Sequence, residues 1–233
     1  MLNKSKLIIA VSCASISLTA FAGGYTVKTE KPFYVQLSAG VATGPDTVNI
    51  KANDFDGGNG YTAGGTNASN SFNLSTRGEL SPDVSVGYNL SQYFAVEADF
   101  SWWGRQGLKS VGSLTTSAGA FKGNLETYSY GINVLGKIPV TPNKLNVLVK
   151  LGTGIAHSQM SVDDPQGSVF FTPGNYSVKV NEAMLNYGAG IQYQFNNPFA
   201  VRVMWDRLMR LGDTRIGNVS YNRFSVGAIY NFG

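Results

Sequence analysis

The chain has 233 residues, of which 43% are hydrophobic and 14% charged, and its formal net charge is +4. So small a positive charge argues against a nucleic-acid-binding domain, which needs a dense basic face. Beyond the N-terminal region, no apolar run approaches the roughly 20 residues of a spanning helix, which argues against a helical membrane protein.

The first 22 residues predict a secretory signal peptide. Lys4 and Lys6 form a basic start, an apolar stretch follows, and Ala20-Phe21-Ala22 fits an A-x-A cleavage site. Cleavage after Ala22 leaves one domain of 211 residues, 23–233, with a formal charge of +2. The only cysteine lies within the signal peptide, so we expect no disulfide in the mature protein.

The mature chain contains eight segments in which apolar and polar residues alternate. The predicted strands cover residues 32–41, 79–90, 93–103, 125–135, 145–156, 180–195, 199–208 and 219–232. In the third segment, Phe94, Val96 and Ala98 face one side, and Glu97 and Asp99 face the other. A period of two indicates a strand with one apolar face. Each segment is close to the roughly 9–11 residues with which a tilted strand crosses a bilayer.

The connections between these strands alternate in length. Short connections lie at 89–92, 137–144 and 196–198, and long polar ones at 42–78, 104–124, 157–179 and 209–218. Outer-membrane barrels have short periplasmic turns and long external loops. We therefore predict an all-β fold: an eight-stranded antiparallel up-and-down transmembrane β-barrel with both termini in the periplasm.

The last strand carries a second indication of the same architecture. Apolar and aromatic residues alternate with small or polar ones up to Tyr230 and Phe232, next to the last residue of the sequence. An apolar edge strand in a soluble protein invites aggregation, whereas in a closed barrel it pairs with the first strand. Ser225, Gly227, Tyr230 and Phe232 also form a pattern that resembles the C-terminal assembly signal of bacterial outer-membrane barrels.

The period-two assignment places charges of both signs inside the barrel. The candidate lumen residues are Glu97, Asp99, Lys150, Arg202, Asp206 and Arg223, with Asp83 beside the first two. Because unpaired buried charges are costly, we predict a cluster that links the acidic residues Glu97 and Asp99 to Lys150, Arg202 or Arg223. Such a cluster either fills and fixes the lumen or gates a narrow pore.

Catalysis and metal binding find little support in the sequence. His157 and Ser158 are adjacent, but neighbouring residues of a strand point to opposite faces. The acidic segment 53–57 lacks the glycine and the distal Glu of an EF-hand loop, and Asp163-Asp164 is isolated; both are interpreted as solvated turns. No metal site or cofactor is predicted.

Four aromatic residues are interpreted as members of the interfacial girdles of a membrane barrel. They are Trp102, Trp103, Trp205 and Tyr230.

Four stretches resemble the eight-stranded transmembrane domain of OmpA-like proteins and the wider family of small, opacity-type outer-membrane surface antigens. They are residues 87–98, 135–152, 188–203 and 224–233. The resemblance implies a Gram-negative outer membrane, contact with lipopolysaccharide, assembly by the barrel-assembly machinery, and a role in envelope integrity, adhesion or immune recognition. No residues follow Gly233, so the peptidoglycan-binding domain of many OmpA-like proteins is not expected.

These observations lead to a functional prediction. We expect a monomeric, non-enzymatic structural protein of the cell surface, whose external loops meet host or environmental ligands. Two alternatives remain open at this stage: a small-solute or ion channel of the OmpW type, and an outer-leaflet enzyme that modifies lipid.

Overall fold

The computed structural model describes residues 31–44, 47–51, 69–74, 78–109, 122–141, 144–164, 174–196, 198–211 and 220–232. Ala20 and Ala22, the predicted cleavage residues, lie outside this set, as does the acidic segment 53–57. Within the described parts of the chain, no helix is long and apolar enough to pass through a bilayer.

All regular elements of the described residues are strands. Their bounds are β1 Phe33–Thr43, β2 Thr47–Lys51, β3 Ser69–Leu74, β4 Glu79–Asn89, β5 Phe94–Lys109, β6 Lys122–Thr141, β7 Leu145–Asp164, β8 Gly174–Asn196, β9 Phe199–Leu211 and β10 Ser220–Phe232.

Eight of these strands close into an antiparallel barrel, as the sequence predicts. Strands β4 to β10 pair in chain order, β4 pairs β1, and β1 pairs β10 to complete the ring. The terminal strand lies along the first, with Phe232 opposite Phe33 and Val226 opposite Ala39. Strands β2 and β3 form a hairpin on the long-loop side, joined to the end of β5. The apolar C-terminal strand therefore has no free edge.

The strands are staggered around the barrel. The hydrogen-bonded register, followed from Phe33 across all eight strands, returns to β1 at Thr43, ten residues further along. Such a shear requires the strands to tilt by about 35–45° from the barrel axis. Residues far apart in sequence therefore reach the same height in the lumen.

The predicted inward and outward faces are confirmed along each barrel strand. On β10, Val226 is 58% exposed on the outer surface, whereas its neighbours Ser225 and Gly227 are buried inside. The outward side chains form an apolar band, because the outer face of each strand meets lipid whereas the inner face lines a polar lumen. Aromatic side chains surround the barrel at the short-turn end of this band, where the Phe33 and Tyr88 rings have centroids 4.9 Å apart.

Several predicted strands are too short. Strand β7 runs on to Asp164 and β8 begins at Gly174, so most of the predicted loop 157–179 is paired strand. Asp163 and Asp164 are therefore strand residues, and the interpretation as a turn is wrong. In this part the pattern inverts, with Lys179 exposed and Val178 and Val180 buried. The outer face there is polar, so it carries no lipid-facing pattern that sequence reading would detect.

The assignment of Trp103 to the girdle is also wrong. The pairing of β5 with β6 shifts between Trp102 and Arg105, a β-bulge in which Gly104 has a φ of 92°. Trp103 is fully buried in the lumen. Trp103 shares the inward parity of Glu97, Asp99 and Ser101, so alternation alone places it in the lumen. The bulge re-aims the residues that follow it, which leaves Arg105 exposed and buries Gln106.

Candidate functional site

The barrel interior brings all six predicted lumen residues inside and buries them. Glu97, Asp99, Lys150, Arg202, Asp206 and Arg223 each have at most 8% of their surface exposed. They lie on four strands, at alternate positions that face the axis. The structure thus places all six residues in the lumen, and the role of the cluster stays a prediction.

The layer nearer the short turns is built on one ion pair. Arg202 Nη1 on β9 lies 2.5 Å from Glu97 Oε1 on β5. The same carboxylate oxygen accepts a hydrogen bond of 2.6 Å from the hydroxyl of Tyr34 on β1. The Arg202 guanidinium also donates two hydrogen bonds to Gln192 Oε1 on β8. Four strands are thereby joined through the centre of the barrel.

A glycine makes room for this layer. The Tyr34 ring crosses to the wall at Gly87 on β4, where a Cβ atom would lie 2.1 Å from the Tyr34 Cζ. Any larger residue at Gly87 would therefore displace the ring that holds the Glu97 carboxylate.

The middle layer contains a second, branched set of ion pairs. Asp206 on β9 contacts Lys150 on β7, and its other oxygen lies 3.0 Å from Arg223 Nη2 on β10. Arg223 also lies 3.8 Å from Asp83 on β4. Asp83 was expected beside the predicted cluster, and the structure confirms that position.

Asp99 joins the network through neutral side chains. Its carboxylate accepts a hydrogen bond of 2.6 Å from Asn133 on β6 and one of 3.2 Å from Ser101. The Ser101 hydroxyl lies 2.7 Å from Asp83 as well. Among the described residues, no cation is within ion-pairing distance of Asp99. The link of Asp99 to the basic residues therefore runs through Ser101 and Asp83 to Arg223 and not through a direct ion pair.

A third layer towards the long loops was missed by sequence reasoning. Arg210 on β9 pairs with Glu182 on β8, and its Nη1 donates to Ser158 Oγ at 3.1 Å. Ser158 lies 2.8 Å from Thr127, which also contacts the Tyr221 hydroxyl at 2.7 Å. Glu182 shares the inward parity of Asn186, so extending that alternation would have found it. Arg210 fell in a predicted loop because β9 was ended at 208.

Trp103 links the middle and upper layers. Its indole Nε1 donates a hydrogen bond of 2.8 Å to Ser129 Oγ on β6. The Arg223 guanidinium lies over its ring, 4.6 Å from the centroid. A cation over an aromatic face is attracted by the ring quadrupole, so this tryptophan stabilises a buried charge that carboxylates alone do not surround.

Little space remains between these side chains. The void among the charged residues of the middle of the lumen measures about 10 Å³. That is about the smallest cavity able to hold one water molecule. A larger recess of about 490 Å³ opens at the end that carries the short turns. It is lined in part by Tyr34 and Arg202, so the Glu97 layer forms its floor.

His157 and Ser158 do not form a catalytic pair. The His157 ring stacks on Tyr128 on the outer surface, with centroids 4.6 Å apart, and contacts Asn181. Ser158 is buried in the lumen. Among the described residues, no group of three or more His, Cys, Asp or Glu side chains is placed to hold a metal ion.

The four residues of the predicted assembly signal occupy both faces of β10. Ser225 and Gly227 lie in the lumen wall, and Tyr230 and Phe232 lie on the outer surface at the short-turn end. Tyr230 contacts Phe199 with ring centroids 5.3 Å apart. Their arrangement fits the expected pattern, and their part in assembly stays a prediction.

These features define an eight-stranded transmembrane β-barrel with an apolar outer band and a lumen filled by charged and polar side chains. Residues 8–232 match the family described as the outer membrane protein beta-barrel domain, and the chain belongs to this family. The family and the fold imply that the protein lies in the outer membrane.

Solved structures of similar proteins include several outer-membrane barrels. Neisserial surface protein A is 18% identical with a TM-score of 0.47, over 86% of this chain and 97% of that one. Ail of Yersinia pestis, in complex with the heparin analogue sucrose octasulfate, is 15% identical with a TM-score of 0.46, over 86% and 99%. OprG of Pseudomonas aeruginosa is 12% identical with a TM-score of 0.46, over 87% and 97%. A sequence comparison with characterised proteins gave no match.

Proposed function

We propose that this protein is a closed structural barrel of the outer membrane that presents its external loops at the cell surface. The observation that carries the proposal is the filled lumen, in which three layers of buried polar contacts leave a central void of about 10 Å³. A hydrated ion needs a continuous path through the barrel, and such a void holds at most one water molecule.

The lumen network supports a structural role because it joins opposite walls. Glu97 on β5 pairs with Arg202 on β9, and Lys150 on β7 pairs with Asp206, which also lies on β9. Removing one partner of a buried ion pair typically costs about 3–5 kcal/mol, because the other charge stays buried without compensation. The network thus opposes any flattening or opening of the barrel.

The outer surface and the loops supply the contacts with partners under this proposal. The apolar band meets membrane lipid, and the polar outer faces above it are at the height of lipopolysaccharide. The barrel-assembly machinery would read the C-terminal pattern that includes Tyr230 and Phe232. Host or environmental ligands would meet the long connections. The protein acts as a monomer in this proposal, because one chain closes the ring.

A small-solute or ion channel is the second candidate, and one observation favours it. The described lumen is closed by side chains, and one of its cations has two carboxylates within reach. Arg223 is within 4 Å of both Asp206 and Asp83. An exchange of partners would move the bulky guanidinium groups without breaking the backbone ladder. The third candidate, a lipid-modifying enzyme, gains nothing from the separated His157 and Ser158.

Conductance in a planar bilayer distinguishes the first two functions. The protein is refolded without residues 1–22, and folding is verified by the gel shift between boiled and unboiled samples. We expect the wild type to be silent. The double variant Glu97→Ala/Arg202→Ala removes only the floor of the recess, and the middle and upper layers still fill the lumen, so we expect this variant to stay silent as well. Current from it would show that the floor layer alone closes the lumen.

The matched control is Arg105→Ala/Glu126→Ala. This variant removes an exposed ion pair with an N–O distance of 3.5 Å on the outer surface, so charge and number of substitutions are equal. It should stay silent. Steady channels from the wild type, altered by Lys150→Met or Arg202→Met, would contradict the closed barrel and establish the channel.

A further inference from the structure

The recess at the short-turn end has the size of a ligand site. Its volume is about 490 Å³, within the roughly 300–1,000 Å³ of sites for small molecules. Its rim includes the β4–β5 turn at Ser91, Gln92 and Tyr93. The short turns face the periplasm in this family of barrels, so periplasmic solutes reach the recess without crossing the membrane.

One lysine gives this recess a positive charge. Lys137 on β6 lines it, and its ammonium donates a hydrogen bond to Asn89 Oδ1 and lies 5.6 Å from the centroid of the Tyr34 ring. Lys137 forms no ion pair with any carboxylate in the described part of the chain. The nearby carboxylate of Glu97 lies behind Tyr34 and Arg202, does not line the recess, and is already bound to both of them. An ammonium has three donors, and a neutral amide and an aromatic face leave its charge without a counter-ion.

The walls carry neutral groups suited to a polar ligand. Asn146, Gln192, Gln194 and Asn231 line the recess together with the phenol of Tyr93. Carboxamides both donate and accept hydrogen bonds, so they fit hydroxyl and amide groups without adding charge. No acidic side chain is among the lining residues, and this composition therefore disfavours a cation.

We propose that the periplasmic mouth of the barrel binds a small hydrophilic anion, a carboxylate- or phosphate-bearing molecule about as large as a monosaccharide. Lys137 supplies the charge-assisted hydrogen bond to the anionic group, and the carboxamides contact the hydroxyl or amide groups of the remainder. This site is separate from any ligand of the external loops and does not depend on whether the lumen conducts.

The test is an NMR titration of the refolded, ¹⁵N-labelled protein with matched probes. The probes are glucose, glucuronate, glucose 6-phosphate and inorganic phosphate, added in a polyoxyethylene detergent that carries neither charge nor sugar. We expect saturable shifts of the backbone signals of residues 89–93 with glucuronate or glucose 6-phosphate, and none with glucose. A response to glucuronate identifies a carboxylate ligand, and one to the phosphates alone identifies a phosphate ligand.

Lys137→Met should weaken binding at least tenfold, in keeping with the loss of one charge-assisted hydrogen bond. The control is Lys144→Met, which removes the same charge from an exposed turn residue at the same end that does not line the recess. Its affinity should be unchanged. Absence of saturable shifts with all three anions, equal binding of glucose, or equal losses in the two lysine variants would each overturn the proposal.

Discussion

Tyr34 shows how one residue sets the geometry of the lumen. Its ring lies between β1 and Gly87 on β4, and its hydroxyl donates to the Glu97 oxygen that Arg202 also contacts. Burial of a charged carboxylate is tolerated only when its lone pairs are satisfied. Tyr34 is therefore the neutral partner that completes a buried ion pair.

Tyr34→Phe should destabilise the protein by about 1–3 kcal/mol, because a hydrogen bond to a charged group is lost without a change of shape. The measurement is the free energy of unfolding in urea of the protein refolded into vesicles. Tyr193→Phe, which changes a lipid-facing tyrosine that is 40% exposed on β8, is the control and should change it far less. Equal effects would mean that the Tyr34 hydroxyl has no special role.

At the scale of the element, the bulge in β5 decides what fills the upper lumen. Gly104 has a φ of 92°, a region where side chains with a Cβ are strained. A Cβ at this position would also lie 2.5 Å from Glu79 Cβ on β4. Trp103 lies inward by ordinary alternation, under the Arg223 guanidinium. The bulge next to it exposes Arg105 and buries Gln106, the reverse of what unbroken alternation would give.

Gly104→Ala should cost about 1–3 kcal/mol of stability through backbone strain. It should also disturb the neighbouring Trp103, so that the tryptophan fluorescence of the folded protein resembles that of a buried indole less closely. Gly107→Ala is the matched control on the same strand, since a Cβ there meets nothing within 4 Å. It should be neutral or slightly stabilising. Urea unfolding followed by tryptophan fluorescence reports both effects, and a tolerant Gly104 would argue against the bulge.

At the scale of the whole molecule, closure between β1 and β10 defines the barrel. Ala39 lies directly opposite Val226 in that register, and both face outward. Directly opposed residues of an antiparallel pair have Cα atoms about 4.5–5.5 Å apart, within the range that a disulfide spans. A chain without residues 1–22 contains no cysteine, which gives a clean background for cross-linking.

Ala39→Cys/Val226→Cys should therefore form an intramolecular disulfide under mild oxidation of the folded protein, seen as a gel band that changes on reduction. The off-register pair Ala39→Cys/Phe224→Cys places the second cysteine two residues away, where separations reach roughly 7–8 Å. It should cross-link poorly. Preferential linkage of the second pair would show that the register is shifted and that the lumen contacts need reassignment.

The sequence alone determined the number of barrel strands, which side chains face outward, and the presence of charges of both signs in the lumen. Successive residues of a strand face lipid and lumen in turn, so the alternation of apolar and polar residues shows which side chains point outward and which point inward. Glu97, Asp99 and Arg202 follow from that parity without knowledge of any partner. The apolar alternation of the last strand likewise indicated closure, because an edge of that kind is stable only when paired.

Only the tertiary structure decided which charges meet. Glu97 and Arg202 are 105 residues apart, and their contact depends on the register of every intervening strand pair and on the ten-residue shear around the barrel. The exposure of Arg105 and the burial of Gln106 depend on a local bulge. The extension of β7 and β8 lies beyond the lipid that imposes the apolar pattern. The recess at Lys137 is lined by seven chain segments that meet at one end of the barrel, so its composition cannot be deduced from any one of them.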